Sequence, residues 1–313
     1  MHAVSTADVG EDTVSVSDLI VEFGGWLDRQ RGLAPITIHN YCQHAGQFLA
    51  ALPQPTQVSV SLLDAGTVTA FMVEYCRDRN TNSAKSMVRS VRSFLRFAHA
   101  TGRTSTGLWS AVPSSSGWHL ASLPRSVPAA DLEHLVAVAS RSRFTATDLR
   151  DYAILLLLAR LGLRGGEVLN MVLEDLDWER GELVVRGKGP RLERLPLPAD
   201  VGAAVARYLY EVRPPCATRR VFVRMMAPYQ DLEQSAVCCV VRRALARAGL
   251  DPECKGAHLL RHSLATNLLR RGASLSEIGQ LLRHRQPTTT QIYAKVDIEA
   301  LRVIALPWPG SAS

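Results

Sequence analysis

Lysine is scarce in this 313-residue chain. Of 36 basic residues only four are lysine, at Lys85, Lys188, Lys255 and Lys295, and arginine supplies the rest, a bias that reflects a GC-rich coding sequence as much as function. Long apolar runs are missing too. The longest aliphatic stretch, Ala153–Ala159, stops at Arg160; a membrane span needs roughly 20 residues, so this one reads as a buried helix and no membrane is expected. The six cysteines (Cys42, Cys76, Cys216, Cys238, Cys239 and Cys254) have neither metal-ligand spacing nor the pattern of a secreted disulfide framework. Reduced thiols and a cytoplasmic setting are expected. Residues Met1–Ser17 carry acids and no apolar core, unlike a signal peptide. No internal repeat is present. Acidic residues are outnumbered, 29 against 36, and the net charge of +7 suits a polyanionic partner.

The length is generous for one compact domain, and two are expected. Charge divides unevenly between them: residues 1–103 hold 9 basic and 9 acidic side chains, residues 104–313 hold 27 and 20. Residues 1–14 read as disordered and 15–103 as a helical domain. Val16, Leu19, Ile20, Phe23 and Leu27 follow a helical stripe, and Thr37 opens a second helix after Pro35. A third helix covers roughly Asp64–Arg77. In a fourth, Ala84–Ala98, residues Val88, Val91, Leu95 and Ala98 share one face, while Lys85, Arg89, Arg92 and Arg96 share another. Such a basic face is either simply solvated or a DNA-backbone contact. Residues 104–126, rich in Ser, Thr, Gly and Pro and containing Trp109 and Trp118, read as a linker. Residues 127–313 form the second domain. Helices are expected at Ala129–Ser140 and Asp148–Arg160. Short strands follow at Leu176–Trp178, Glu182–Arg186 and Leu192–Pro198, with Gly187-Lys188-Gly189-Pro190 as a tight turn. Helices dominate thereafter to residue 285.

Three segments of this second domain carry chemistry. They are Gly162-Leu163-Arg164-Gly165-Gly166-Glu167, His258-Leu259-Leu260-Arg261-His262, and Leu282-Arg283-His284-Arg285-Gln286-Pro287-Thr288-Thr289-Thr290-Gln291-Ile292-Tyr293. Two arginine forks can hold the non-bridging oxygens of a phosphodiester. A tyrosine placed in line can attack the phosphorus, and phosphoryl transfer asks mainly for position and charge stabilisation. Each element has a plainer reading. Arg164 and Glu167, at i,i+3, could be an ordinary surface pair of little worth. His258 and His262, at i,i+4, have the spacing of a helical zinc site. Against zinc, Leu259 stands where a zinc protease carries its glutamate, and no third ligand is evident. Tyr293 could be a half-buried structural residue.

The three segments, in this order and with a lysine between the first two, resemble the Arg, His-x-x-Arg and His…Tyr boxes of tyrosine recombinases, the phage integrase family. The likeness covers roughly residues 127–300 and, more weakly, the first hundred. It implies a mainly α protein with a small antiparallel sheet, in which a helical core-binding domain and an α+β catalytic domain clamp duplex DNA. It implies Arg164 and Arg261 as phosphate clamps, Glu167 as the support of Arg164, His258 and His284 as phosphate or proton partners, Tyr293 as nucleophile, and Lys188 as the acid that protonates the leaving 5′-oxygen. His262 is then a structural residue behind the site. The family usually has glycine before His284; here Arg283 and Arg285 flank it, and both read as added phosphate contacts. With Lys85, Arg89, Arg92 and Arg96 they complete the expected DNA-binding set. The implied reaction forms a 3′-phosphotyrosyl link and needs no metal, no ATP and no cofactor. It is carried out by homo- or hetero-tetramers on paired DNA sites, in integration, excision or transposition, at the bacterial nucleoid. The stretch Gly117–Arg125 resembles recombinases encoded in trios on mobile elements. Beyond Tyr293, an apolar tail (Ile298, Leu301, Val303, Ile304, Leu306, Trp308) is expected to dock on a neighbouring protomer. Two other readings stay open: a type IB topoisomerase, which shares the chemistry, and a non-catalytic DNA-binding relative, which should have lost one of the boxes.

Overall fold

A computed structural model describes residues 15–53, 56–113, 124–141, 145–187, 192–284 and 286–296. Lys188, Arg285, most of the Gly117–Arg125 stretch and the tail beyond residue 296 lie outside the described residues. The chain divides into two compact units, Met1–His119 and Leu120–Ser313. Among the described residues no helix is long and apolar enough to cross a membrane.

The first unit is helical: α1 (Val16–Arg31), α2 (Pro35–Ala50), the short α3 (Thr56–Ser61), α4 (Ala65–Cys76) and α5 (Thr81–Ala100). Local signals set the ends. Ser15 and Asp18 form a reciprocal cap that starts α1, and Gly32 in the left-handed region closes it. Asp64 and Asn80 accept from the first-turn amides of α4 and α5. The core is aromatic. The ring of Phe23 meets Phe94 edge-on at 5.5 Å, and Phe48 meets Phe94 at 6.1 Å. The segment read as the start of a linker belongs to this core: Leu108 and Val112 are buried, and Trp109 packs on His99 at 5.3 Å.

The second unit is built round α7 (Ala146–Leu161), which is apolar on nearly every side. A helix of that kind is stable only when covered. Helices α6 (Ala129–Arg141), α9 (Ala199–Arg207), α10 (Ala236–Arg247) and α11 (Ala257–Arg270) all pack on it or on one another. A three-stranded antiparallel sheet, β1 (Leu176–Asp177), β2 (Glu182–Arg186) and β3 (Leu192–Pro196), pairs in chain order, with Glu182 opposite Pro196 and Arg186 opposite Leu192. Leu183, Val185 and Leu195 bury one face, as alternation requires. Helices α8 (Gly165–Asn170), α12 (Leu275–Leu281) and α13 (Pro287–Thr290) complete it, followed by a tight 3₁₀ turn at Gln291–Val296. The mainly α fold with one small antiparallel sheet is the one expected from the sequence.

Candidate active site

The site forms where four helix ends meet in the second unit. Helix α7 stops at Gly162, whose φ of 57° is the left-handed conformation that glycine tolerates best. A Cβ there would lie 2.8 Å from a methyl of Leu282 and 3.0 Å from one of Leu264, so any larger residue would also have to displace these two side chains. The chain then turns directly into α8 at Arg164. Glu167 accepts from the Arg164 backbone amide (2.8 Å) and from its guanidinium (2.7 Å). One carboxylate thus starts the helix and fixes a side chain. The Glu167 side chain is 6% exposed and Arg164 39%, which leaves the guanidinium open to a ligand. This is a buried brace, unlike the weak surface pair that the i,i+3 spacing alone would allow.

Arg261 on α11 is 4% exposed and donates to the carbonyls of Gly162 and Leu282. It ties the ends of α7 and α12 together and keeps further N–H groups for an outside oxygen. Burial, and then the charges of Arg164 and Arg283, lower its pKa to about 10, so it stays charged at neutral pH. One turn away, His258 faces an open cleft of about 910 Å³. Arg164, Glu167, Arg186, Arg283 and His284 line the same cleft. Desolvation and the two arginines Arg261 and Arg164 lower the pKa of His258. His284 bonds through Nδ1 to Thr290 Oγ1 at 2.7 Å, which leaves its Nε2 for a partner.

Tyr293 is 1% exposed. Its ring lies parallel to His284, 6.3 Å between centroids, and its hydroxyl bonds to His262 Nδ1 at 2.8 Å. Burial pushes the phenol pKa up to about 12, against the pull of Arg261 and Arg164. Burial also takes His262 and His284 down to about 4. Both imidazoles are therefore neutral in the fold, while in an unfolded chain they would bind protons near the ordinary value of about 6.5. The unfolded state thus binds more protons between those values, and stability should fall as pH drops from about 6.5 toward 4. Urea unfolding across this window tests it; a pH dependence unchanged when His262 and His284 are both replaced by Asn would overturn this assignment.

The structure brings together Arg164, Glu167, His258, Arg261, His284 and Tyr293. Three features were not legible beforehand. His262, read as a residue behind the site, touches the tyrosine hydroxyl. Thr290 orients His284. Arg283, expected to bind DNA phosphate, has a 5% exposed side chain and pairs with Glu167 (2.7 Å) and Glu193 (3.6 Å). Its guanidinium is paired with protein carboxylates at the wall of the cleft, a task that the sequence did not show. The helix end that had to close without glycine does so by placing Arg283 itself in the left-handed region, φ 57°. In the first unit Arg89 and Arg96 are exposed and Lys85 is half-buried. Arg92 is also half-buried and donates to the Val112 carbonyl at 2.8 Å, a structural task sequence periodicity could not show. Among the described residues no three His, Cys, Asp or Glu side chains are grouped to hold a metal.

Comparison with known proteins bears on the same residues. The model of the phage integrase family matches residues 125–299, and that of the phage integrase N-terminal SAM-like domain matches residues 20–102. The chain is 43% identical over 306 residues to the putative integrase/recombinase y4rA of Sinorhizobium fredii, covering 97% of this chain and 74% of that protein. It is 30% identical over 288 residues to the tyrosine recombinase XerD of Lacticaseibacillus casei, covering 90% and 95%. A crystal structure of the XerH site-specific recombinase, bound to a palindromic difH substrate after cleavage, shares the fold with a TM-score of 0.72 at 17% identity, covering 97% of this chain and 99% of that one. The boxes read from the sequence, the site they build and both family models coincide on one chain: it belongs to the phage integrase family of tyrosine recombinases.

Proposed function

We propose that this protein is a site-specific DNA recombinase that cuts and rejoins duplex DNA through a 3′-phosphotyrosyl intermediate, in the integration, excision or transposition of a mobile element. The observation that carries this reading is one cleft lined by Arg164, His258 and His284, with buried Arg261 one turn along the helix from His258 and buried Tyr293 stacked on His284, and with every box intact. Arg164 and the spare donors of Arg261 hold the non-bridging oxygens of the scissile phosphate. His258 and Nε2 of His284 add hydrogen bonds that tighten as charge builds on phosphorus. The Tyr293 oxygen, its proton passing to His258, bonds to phosphorus as the bond to the 5′-oxygen breaks, and Lys188 supplies the proton that the 5′-oxygen takes up. A 5′-hydroxyl of a partner duplex reverses these steps. Four protomers on two DNA sites exchange strands in pairs, in the cytoplasm at the nucleoid, with the tail after residue 296 linking neighbours.

The resting geometry adds a condition. Burial raises the phenol pKa and lowers that of His262, so passing the proton between them where they stand is uphill. The hydroxyl therefore leaves His262 and moves toward the arginines before it attacks, where their field lowers its pKa.

A DNA duplex with a nick beside the cleavage site, which traps the protein covalently on DNA, tests the function. The adduct is expected with a chelator present as without, since the two arginines carry the charge a metal would carry. Adduct formation lost to chelator and recovered with zinc would revive a site at His258 and His262. For the first unit, Arg89 and Arg96 both changed to Gln should lower the log–log salt slope of DNA binding by about 1.8, at about 0.9 for each lost phosphate contact. An unchanged slope would mean a merely solvated face. Arg92→Gln should instead lower thermal stability, because its bond to Val112 is lost.

A further inference from the structure

Arg283 is the one described non-glycine residue with a positive φ. A long side chain resists that conformation, so something holds it there. What holds it is visible. Its Nη2 donates to Glu167 Oε2 at 2.7 Å, its Nη1 to the Leu281 carbonyl at 3.3 Å, and its Nε lies 3.6 Å from Glu193 Oε2 on β3. Glu167 and Arg283 are 6% and 5% exposed, so this pair is nearly buried in the wall of the cleft, while the Glu193 side chain is 39% exposed and screened.

The charges near Arg164 then count differently from what the sequence suggests. Arg164 beside Glu167 alone is a neutral pair. A carboxylate so buried, with a single cation in reach, draws that cation inward and cancels the charge a phosphate would meet. Arg283 changes both. It takes up Glu167 Oε2 from behind, leaving Oε1 for Arg164, and brings the three groups to a net charge of +1. Burial alone would push the Glu167 carboxyl up; the Arg164 amide and the charge of Arg283 outweigh it and hold the group below the usual carboxylate range.

We infer that Arg283 is a positioning residue for cleavage: by neutralising Glu167 from the protein side, it leaves the charge of Arg164 free to act on the scissile phosphate without touching DNA itself. This rests on the recombinase reading given above. The test uses the full chain and a nicked trapping substrate. In Arg283→Gly the backbone conformation is relaxed while the charge is lost. Adduct formation on bound DNA should slow roughly 10- to 100-fold, as when an outer partner that orients a metal ligand is removed, with single-site Kd close to that of the wild type. Arg283→Lys should recover most of the rate. In a Glu167→Gln background, Arg283→Gly should cost little more, because no buried negative charge remains to be neutralised. If Arg283→Gly loses its cooperative melt, Arg283→Gln, which keeps the side-chain stem, carries the same expectations. A Kd weakened as much as the rate would make Arg283 a DNA contact, and an unchanged rate, or an undiminished effect in the Glu167→Gln background, would also overturn the inference. Failure of the wild-type protein to form any adduct would instead refute the recombinase reading.

Discussion

Tyr293→Phe should bind its DNA site like the wild type and form no covalent adduct. The ring is packed against His284 and His262 and would stay in place. Only the hydroxyl and its bond to His262 would go, a loss of about 1 kcal/mol for a typical hydrogen bond, so the variant should melt close to wild type. A denaturing gel of trapped complexes reads the result directly. A stable adduct from the Phe variant would move the nucleophile elsewhere, and the alternatives are poor. Tyr208 is fully buried with its hydroxyl on the Val223 amide, and Tyr210 stands almost wholly in solvent.

Lys188→Ala should leave DNA binding nearly intact and slow cleavage by roughly 10²- to 10⁴-fold, the usual contribution of a general acid. The expectation rests on the chemistry of the described residues that line the cleft. Arginine holds its proton too tightly to give it up. His258 and His284 both have lowered pKa values, so neither carries a spare proton at neutral pH. Lys255 lines the cleft but is paired with Asp251, and Lys255→Ala is the control expected to change the rate little. A substrate with a 5′-phosphorothiolate leaving group needs no proton and should restore the Lys188→Ala rate. If it does not, Lys188 is a DNA contact.

Linear spacing was most informative within the first two boxes, where the paired residues lie one helical turn apart. His258 and Arg261 share a face by the helical period, and Arg164 and Glu167 do so by i,i+3. The strands were legible from alternation, to within a residue or two at their ends. What the sequence hid are contacts made by turns between distant segments. Arg283 meets Glu167 across 116 positions, and only the left-handed turn at Arg283 aims it there. His262 touches Tyr293 only because the 3₁₀ turn at Gln291–Val296 brings the phenol back over α11. The packed segment after Thr104 was masked by its small polar residues, although Leu108 and Val112 lie in the core. The six-residue α3 was too short to show a period.

The hydroxyl of Tyr293 rests inside the protein, held by His262. A DNA-binding protein meets roughly 10⁶–10⁹ wrong sites in a genome for each right one. A nucleophile held permanently outward would have a chance at every one of those phosphodiesters. One that must first be drawn from its shelter can slide over foreign sequence without leaving nicks, and the decision to cut is taken after the protein has arrived. His262→Ala would loosen that restraint, and the sign to look for is cleavage spread to non-target DNA rather than faster cleavage at the target.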